Sequence, residues 1–326
     1  MAILLAIFIS LGCGGGGGGG SAVPTRPASL TYTGSTARAV INESNAAELA
    51  SEAVSGGTRA NVFTGFAAVA TGPESADTSR LAVFASAMVL QNAVVSLHAA
   101  SPSSTGAAKA VFTEQETING TCGGTAFGDL QADDVTGDFS GHLSFSNFCE
   151  SNVTVNGDTD FSGTINTTTD QIEIITFNFG YLTSSEPSGS FIIDGTMSIV
   201  NQPAGFTITM DMYLKDGNSG DVCWIDNYHI EAIEYASYVS MAVSGVFYDP
   251  QDGYVSVSTL ENLIVYDYDR VPASGVILAE GENGVSGGPT MARLTCYPSG
   301  LFNVQADTDG DGIYDWDSGD LSWDDY

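Results

Sequence analysis

Basic residues are the scarcest component of this sequence. Only 8 of its 326 residues are Lys or Arg, against 39 Asp and Glu, so the formal net charge is -31. A chain of that charge is repelled by polyphosphate backbones and by bare anionic lipid, and we expect no nucleic-acid partner. Such a charge is typical of proteins that stay soluble in a salty or cation-rich medium. Hydrophobic residues still make up 43% of the chain, which excludes global disorder.

Long apolar runs are also few, and the first of them opens the chain. Ala2 to Leu11 is apolar and is followed by Gly12, Cys13 and the glycine run Gly14 to Gly20. This order resembles a lipoprotein signal peptide, in which cleavage occurs before a cysteine that carries a diacylglyceryl group. The resemblance implies lipidation at Cys13. Cleavage near Ala22 and an uncleaved anchor are the alternatives, although an anchor of about ten apolar residues is too short to cross a bilayer.

The anchor hypothesis divides the chain into four segments. Residues 1–12 are the signal peptide, and 13–30 are the lipidated cysteine and a glycine-rich tether with a root-mean-square span of ~20 to 25 Å. Residues 31–306 form a β-rich domain with an N-terminal helical segment, and 307–326 form an acidic tail. The expected location is the cell envelope, as an outer-membrane lipoprotein that contacts the membrane through its anchor.

Helical signals are confined to the stretch before residue 100. Ser44 or Asn45 is expected to cap a short helix that ends at the glycine pair 56–57. A longer helix is expected to start at residues 77–79 and to run to His98. Leu81 to Ala100 lacks charged residues, but interrupting polar side chains and many alanines argue against a transmembrane span. We therefore expect this helix to be buried against a sheet.

After about residue 109, apolar side chains recur with a period of two, which indicates strands with one buried face. The rows are Phe206, Ile208, Met210, Met212 and Leu214; Phe139, Leu143 and Phe145; and Ile175, Phe177, Phe179 and Tyr181. Between them lie dipeptides that accept positive φ in tight hairpins: Asn156–Gly157, Asp194–Gly195, Asp216–Gly217 and Asp252–Gly253. The second pair is also compatible with a bulge inside a strand.

The pattern as a whole predicts a mainly β fold. We expect an antiparallel meander that forms a sandwich or incomplete barrel, with one or two N-terminal helices packed on the sheet.

Cysteines are few but even in number once Cys13 is assigned to the lipid. Cys122, Cys149, Cys223 and Cys296 remain, and an even count in an exported chain indicates disulfides. We predict the pairs Cys122–Cys149 and Cys223–Cys296, with buried free thiols as the alternative. Zinc binding is disfavoured, because no two cysteines have the close spacing of a tetrahedral site.

The last third of the chain carries turn and strand signatures in a fixed order. These are Phe247 to Thr259, Pro272 to Gly275, Ala292 to Thr295 and then the aspartate-rich tail. Their order resembles an uncharacterised proteobacterial family of envelope lipoproteins with a C-terminal Asp-rich calcium-type loop. The resemblance implies an envelope location and a β-rich fold, and no particular activity.

The tail has the spacing of a calcium loop. Asp307, Asp309 and Asp311 occupy positions one, three and five, Gly312 allows the turn at six, and positions seven and nine are Ile313, through its carbonyl, and Asp315. This resembles the EF-hand loop and the thrombospondin-type repeats, but Ser318 replaces the carboxylate at position twelve. We predict a weak structural calcium site, with Kd about 10⁻⁴ to 10⁻³ M. A solvated acidic tail is the alternative.

Catalytic signals are weak. The sequence Gly284-Val-Ser286-Gly-Gly288 matches a nucleophile elbow, but strand-like residues follow it where the elbow needs a helix, so we expect a hairpin loop. Gly217-Asn-Ser219-Gly220 is explained by a turn. His142 is expected on a polar strand face, and His229 is expected on the opposite face of its strand from Asp226.

These observations favour a non-enzymatic, lipid-anchored scaffold for structure or binding. The first alternative is a carrier of an apolar ligand held between the sheet and the 81–97 helix, with Met210 and Met212 as an adaptable lining. The second is a hydrolase with an unidentified site. The partner of the scaffold, whether a protein or an apolar ligand, is left open.

Overall fold

The computed structural model describes residues 29–55, 112–133, 135–150, 153–169, 171–186, 189–266, 269 and 271–323. One helix, α1 (Ala46–Ser55), precedes fourteen strands in these residues. The strands are β1 (Phe112–Asn119), β2 (Gly123–Ala132), β3 (Asp138–Glu150), β4 (Val153–Asn166), β5 (Gln171–Glu186), β6 (Gly189–Gln202), β7 (Gly205–Asp216), β8 (Val222–Glu234), β9 (Tyr238–Asp249), β10 (Gly253–Tyr266), β11 (Ser274–Asn283), β12 (Pro289–Tyr297), β13 (Leu301–Asp307) and β14 (Trp316–Ser322).

Each strand pairs antiparallel with the next strand along the chain, so the sheet order is the sequence order from β1 to β14. The sheet is open, with β1 and β14 at its edges. This confirms the mainly β antiparallel meander. Successive turns alternate between the two ends of the sheet, and we call the end that carries the β1–β2, β9–β10, β11–β12 and β13–β14 turns the upper end.

One face of the sheet is apolar and buried, and the other is polar. In β7 the predicted row Phe206, Ile208, Met210, Met212 and Leu214 is buried. Thr207, Thr209, Asp211 and Tyr213 alternate with these residues and are more exposed. This confirms the period-two assignment of that row.

Bulges shift the alternation in the middle of several strands. Tyr181 has φ 68°, and the β5–β6 register changes between Gly180 and Leu182, so Leu182 takes the buried position. The prediction that Tyr181 ends the buried row is therefore wrong. Gly157 stands opposite this bulge inside β4, so the predicted hairpin there is also wrong. An extra residue on one strand bends it and increases its twist, so both departures have one cause.

The remaining turn dipeptides lie in different elements. The pair at 194–195 lies inside β6, as the alternative interpretation allowed, and the pair at 216–217 begins the β7–β8 turn. The pair at 252–253 closes the β9–β10 hairpin. Gly195 and Gly253 have the expected positive φ, 132° and 100°, whereas in the β7–β8 turn the positive φ falls on Gly220 (81°) and not on the predicted pair.

Helix α1 packs on the buried face against β9 to β13. Asn45, one of the two predicted caps, directly precedes the helix, and its carbonyl accepts the Leu49 N–H at 2.9 Å. In the turn before it, the Ser44 N–H donates to Asn42 Oδ1 (2.9 Å), and the Asn42 N–H donates in return to Asn45 Oδ1 (2.8 Å). This reciprocal pair satisfies backbone donors that have no partner inside the helix. Leu49, Ala50 and other apolar side chains of α1 are buried.

The other sequence predictions before residue 112 lie outside the described residues. These are the signal peptide, Cys13, most of the tether and the long helix that ends near His98. Within the described part of the chain, no helix has the length and apolar content that crossing a membrane requires.

Candidate metal centre

The aspartate-rich loop connects β13 to β14 at the upper end of the sheet. Asp307 is the last residue of β13, and the chain returns as β14 at Trp316. The carboxylates of Asp307, Asp309 and Asp311 each offer an oxygen, and these three oxygens lie within 4.8 Å of one another. The structure therefore brings together three of the five predicted ligand residues.

Asp307 is fixed by the backbone of its own loop. Its side chain is fully buried, and its two carboxylate oxygens accept the N–H groups of Gly310 and Gly312, each at 2.7 Å. Both glycines have positive φ, 77° and 88°, which L side chains adopt only with strain. The local sequence thus curls the loop around one carboxylate.

The other two carboxylates turn with the same loop and are more exposed. Asp309 accepts the Asp311 N–H at 3.1 Å, and Asp311 accepts the Ile313 N–H at 2.7 Å. The Ile313 side chain points outward and is 66% exposed, so its predicted contribution is limited to the backbone carbonyl. Each carboxylate keeps lone pairs beyond those used by these N–H groups.

Asp315, the predicted ligand at position nine, makes hydrogen bonds at the base of the loop. Its carboxylate accepts the Thr308 N–H at 3.0 Å and the Thr308 hydroxyl at 2.8 Å, and it is not one of the three clustered carboxylates. These two hydrogen bonds lower the pKa of Asp315. They close the base of the loop, because Thr308 begins it and Asp315 ends it.

The β11–β12 turn supports the loop from the side. The Ser286 N–H donates to the Asp309 carbonyl at 2.8 Å, and the Ser286 hydroxyl donates to Asp309 Oδ2 at 3.2 Å. A Cβ on Gly288 would come within 2.5 Å of the Gly310 carbonyl, so this contact requires glycine. Ser286 therefore lies in a hairpin turn followed by β12, as expected for the non-elbow interpretation. The contact between Ser286 and the aspartate loop was not predicted from the sequence. The glycines on either side of Ser286 were the feature that could have indicated a close approach of another loop.

The chemistry of this arrangement suits a hard divalent cation. Three carboxylates offer oxygen ligands, which Ca²⁺ prefers, and one of them is oriented in advance by two backbone donors. Calcium takes six to eight oxygens, so a backbone carbonyl and water would have to complete the shell. That shortfall agrees with a weak site rather than a tight one.

One of the two predicted disulfides is present. Cys122, in the β1–β2 turn, is bonded to Cys149 in β3. The predicted bond between Cys223 and Cys296 is wrong: both side chains are buried thiols. They lie on β8 and β12, which β9, β10 and β11 separate, whereas a disulfide requires Cα atoms within about 7 Å. Burial raises the pKa of Cys296 to about 12 and that of Cys223 further, which suppresses thiolate chemistry.

The position of one histidine, His229, differs from the sequence prediction, whereas that of His142 does not. His142 lies between two carboxylates, with Nδ1 at 2.8 Å from Asp160 Oδ1 and Nε2 at 3.4 Å from Asp158 Oδ1. Asp226 and His229 were expected on opposite faces of β8. Both are on the polar face, because the β8–β9 register shifts between them and the intervening Tyr228 is buried.

Met210 and Met212, the predicted lining of an apolar ligand site, are buried on the apolar face of β7. The helix that was to cover them lies outside the described residues, so the carrier function stays a prediction.

Scans against models of protein families, searches of curated proteins and searches of solved structures found no match to this chain.

Proposed function

We propose that this protein is a non-enzymatic, lipid-anchored component of the cell envelope or cell surface. Its sheet serves as a scaffold for structure or binding, and a weakly bound calcium ion orders its last two strands. The observation that carries the proposal is the cluster of three aspartate oxygens within 4.8 Å at the β13–β14 loop. Like charges at that distance repel one another, and a divalent cation removes the repulsion.

The buried position of Asp307 supports a structural role for the ion. A carboxylate withdrawn from water loses hydration, which two backbone N–H groups replace only in part. A cation shared with Asp309 and Asp311 supplies the missing stabilisation. The same ion would hold the loop against the Ser286 turn, since Asp309 contacts both.

The path of the N-terminal segment supports the anchored orientation. The Leu30 N–H donates to the Asp194 carboxylate, and the Tyr32 hydroxyl donates to the Asp249 carbonyl at 2.6 Å. Further along, Arg38 forms a parallel bridge with Tyr254, and the Glu282 N–H donates to the Ala39 carbonyl. The segment that follows the tether thus passes the upper end of the sheet, where the aspartate loop lies. A lipid on Cys13 would hold this end toward the membrane.

A curled sheet belongs to the same proposal. Bulges in β3, β5 and β8 add residues to one strand of a pair, and such residues bend and twist a sheet. We infer that the bending wraps the apolar face around α1 as an incomplete barrel. The polar face is then the surface that meets a partner.

Calcium titration tests the metal site. In the soluble domain, the amide resonances of Gly310 and Gly312 should shift saturably, with Kd about 10⁻⁴ to 10⁻³ M. Asp311→Asn should weaken binding at least about tenfold, whereas Asp320→Asn removes the same charge outside the cluster and should not. Unchanged resonances up to several millimolar calcium, the range set by a weak site, would remove the ion from the proposal.

Detergent phase separation tests the anchor. Full-length protein from a bacterial envelope should enter the detergent phase, and Cys13→Ser should move it to the aqueous phase, because the acyl chains are lost. Equal partitioning of the two proteins would show that the anchor assignment is wrong. This result is independent of the calcium titration.

A further inference from the structure

The polar face of the sheet contains a groove that no sequence pattern indicated. It crosses β5 to β8 and has a volume of about 270 Å³. Four of its eight lining residues carry hydroxyl groups, and two carboxylates stand at β7 and β8; the lining residues are Thr176, Thr196, Ser198, Thr209, Met210, Asp211, Asp226 and Asn227. This groove is separate from the aspartate loop, which connects β13 and β14.

A bulge in β8 builds the groove. The β7–β8 pairing passes from Met210–Tyr228 to Met212–Ile225, so β8 holds an extra residue opposite Asp211. Asn227 takes up the extra length in a left-handed conformation, with φ 49°. Bulged residues re-aim the side chains beside them. Asp226 is consequently presented on the polar face next to Asp211.

The two carboxylates create a strongly negative site. Partial burial and the neighbouring Asp211 raise the pKa of Asp226 above its ordinary value. The pKa of Tyr213, on the same face of β7, is raised as well, first by burial and then by Asp211, Asp226 and Asp194. Repulsion of this kind is relieved when a positive charge enters.

Asp211 is held in place before any ligand arrives. The indole N–H of Trp224 donates to Asp211 Oδ1 at 3.0 Å. Trp224 is itself stacked on Tyr248, with ring centroids 4.3 Å apart, and Tyr32 lies 6.2 Å from it. A carboxylate oriented in this manner loses little conformational entropy on binding a cation.

The groove has room for a cation larger than a bare metal ion. A water molecule occupies about 30 Å³ of liquid, so the space of about 270 Å³ far exceeds what a single metal ion needs. Threonine and serine hydroxyls accept hydrogen bonds from N–H groups and also contact short aliphatic segments with their methyl and methylene groups. These features together describe a site for an organic cation of several heavy atoms.

We propose that the groove between Asp211 and Asp226 binds a small organic ammonium ion, whose N–H groups donate to the two carboxylates and to the surrounding hydroxyls. The chain's net charge of -31 increases the local concentration of such cations. The site does not depend on the calcium loop or on the lipid anchor.

Titration calorimetry with 1,4-diaminobutane at low ionic strength tests this proposal. 1,4-Butanediol has the same length without the charges and is the matched neutral probe. We expect saturable binding of the diamine with one site, and no heat of binding from the diol. In NMR spectra the amide of Asn227 should shift with the diamine, because it lies at the bulge between the two carboxylates.

Variants distinguish specific binding in the groove from nonspecific attraction of the diamine to an acidic protein. Asp211→Asn and Asp226→Asn keep the side-chain shape and should each weaken binding about tenfold, since each removes one charge-assisted hydrogen bond. Asp320→Asn removes one charge on β14 and should leave the affinity within twofold, a change of about 0.4 kcal/mol. Circular dichroism of each variant checks that the fold is retained.

Three results would overturn the proposal. The first is equal weakening by Asp320→Asn, which would indicate nonspecific electrostatic binding. The second is comparable binding of 1,4-butanediol, which would indicate recognition of hydroxyls rather than of positive charge. The third is an absence of saturable diamine binding by the folded wild-type protein.

Discussion

The two edges of the open sheet are fastened at the same end by different chemistry. At the β1 edge, the Cys122–Cys149 disulfide ties the outermost turn to β3, the third strand in. At the β14 edge, the aspartate loop is tied to the turn that leads into β12, again the third strand in, by hydrogen bonds from Ser286 to Asp309. One fastener is covalent, and the other consists of hydrogen bonds and clustered charge.

The difference matters because a sheet edge is where strands fray and where other chains add. A disulfide stabilises mainly by restricting the unfolded chain, so its effect does not depend on ions. The aspartate loop acts in the native state, and its strength depends on what neutralises Asp307, Asp309 and Asp311. The β1 edge is therefore fastened independently of ions, whereas under the proposed calcium role the β14 edge is adjustable by cations, and we expect it to respond to pH as well.

Removing the disulfide should have the largest effect. Cys122 and Cys149 are separated by 27 residues, and closing a loop of that size contributes about 3 to 4 kcal/mol. The double variant Cys122→Ser, Cys149→Ser should lose that amount in urea unfolding, with or without calcium. Reductant should destabilise the wild-type protein and leave the variant unaffected. Equal stability of the two proteins would contradict the covalent role of this edge.

The second-largest effect should come from disturbing the packing at the β14 edge. Gly310 and Gly312 both have positive φ, but a Cβ on Gly310 would lie 2.1 Å from the Gly288 carbonyl, whereas a Cβ on Gly312 meets open space. Gly312→Ala should cost about 1 kcal/mol from backbone strain alone. Gly310→Ala should cost about 2 kcal/mol more, because the turn must move. Equal costs in urea unfolding would show that the contact with the β11–β12 turn is unimportant.

Calcium should produce the third effect, on the β14 edge alone. At about 5 mM calcium and a Kd of about 10⁻⁴ to 10⁻³ M, binding to the native state adds about 1 to 2 kcal/mol. The disulfide-free variant should gain as much as the wild-type protein, because the two fasteners are independent. Asp309→Asn should abolish the gain. A gain that depends on the disulfide would mean that the edges are coupled.

Features that depend on one short segment were predictable from the sequence, whereas features that depend on several distant segments were not. The loop at Asp307–Asp311 and the β7 row were predictable, because spacing along one segment determines them. The groove was not, because β5, β6, β7 and β8 each contribute to it and a bulge at Asn227 sets its shape. A one-residue bulge moves every later side chain of the strand to the opposite face. This explains why Tyr181 is not in the buried row of β5 and why Asp226 and His229 lie on the same face of β8. The Cys223–Cys296 error arose because strand order was unknown.

The smallest expected effect comes from pH at the β14 edge. Asp317 accepts hydrogen bonds from Asn303 Nδ2 at 2.6 Å and Gln305 Nε2 at 3.0 Å on β13, and from the Gly319 N–H at 2.8 Å. These bonds, with that of Gly319 the largest contributor, lower the pKa of Asp317 below its ordinary value. A lowered pKa in the folded state stabilises the protein above the unfolded-state pKa of about 3.9, and this contribution is lost as pH falls through the folded value.

Asp317→Asn should therefore reduce stability slightly at pH 7 and have no effect once the pH is below the lowered pKa. The measurement is urea unfolding of variant and wild-type protein from pH 7 down to about pH 2.5, below the ordinary aspartate pKa. Asp320→Asn, on the same strand, controls for the loss of one negative charge from an acidic protein. A difference that persists unchanged at the lowest pH would mean that Asp317 acts through its shape and not its charge, and the β14 edge would then lack the pH dependence that distinguishes it from the disulfide edge.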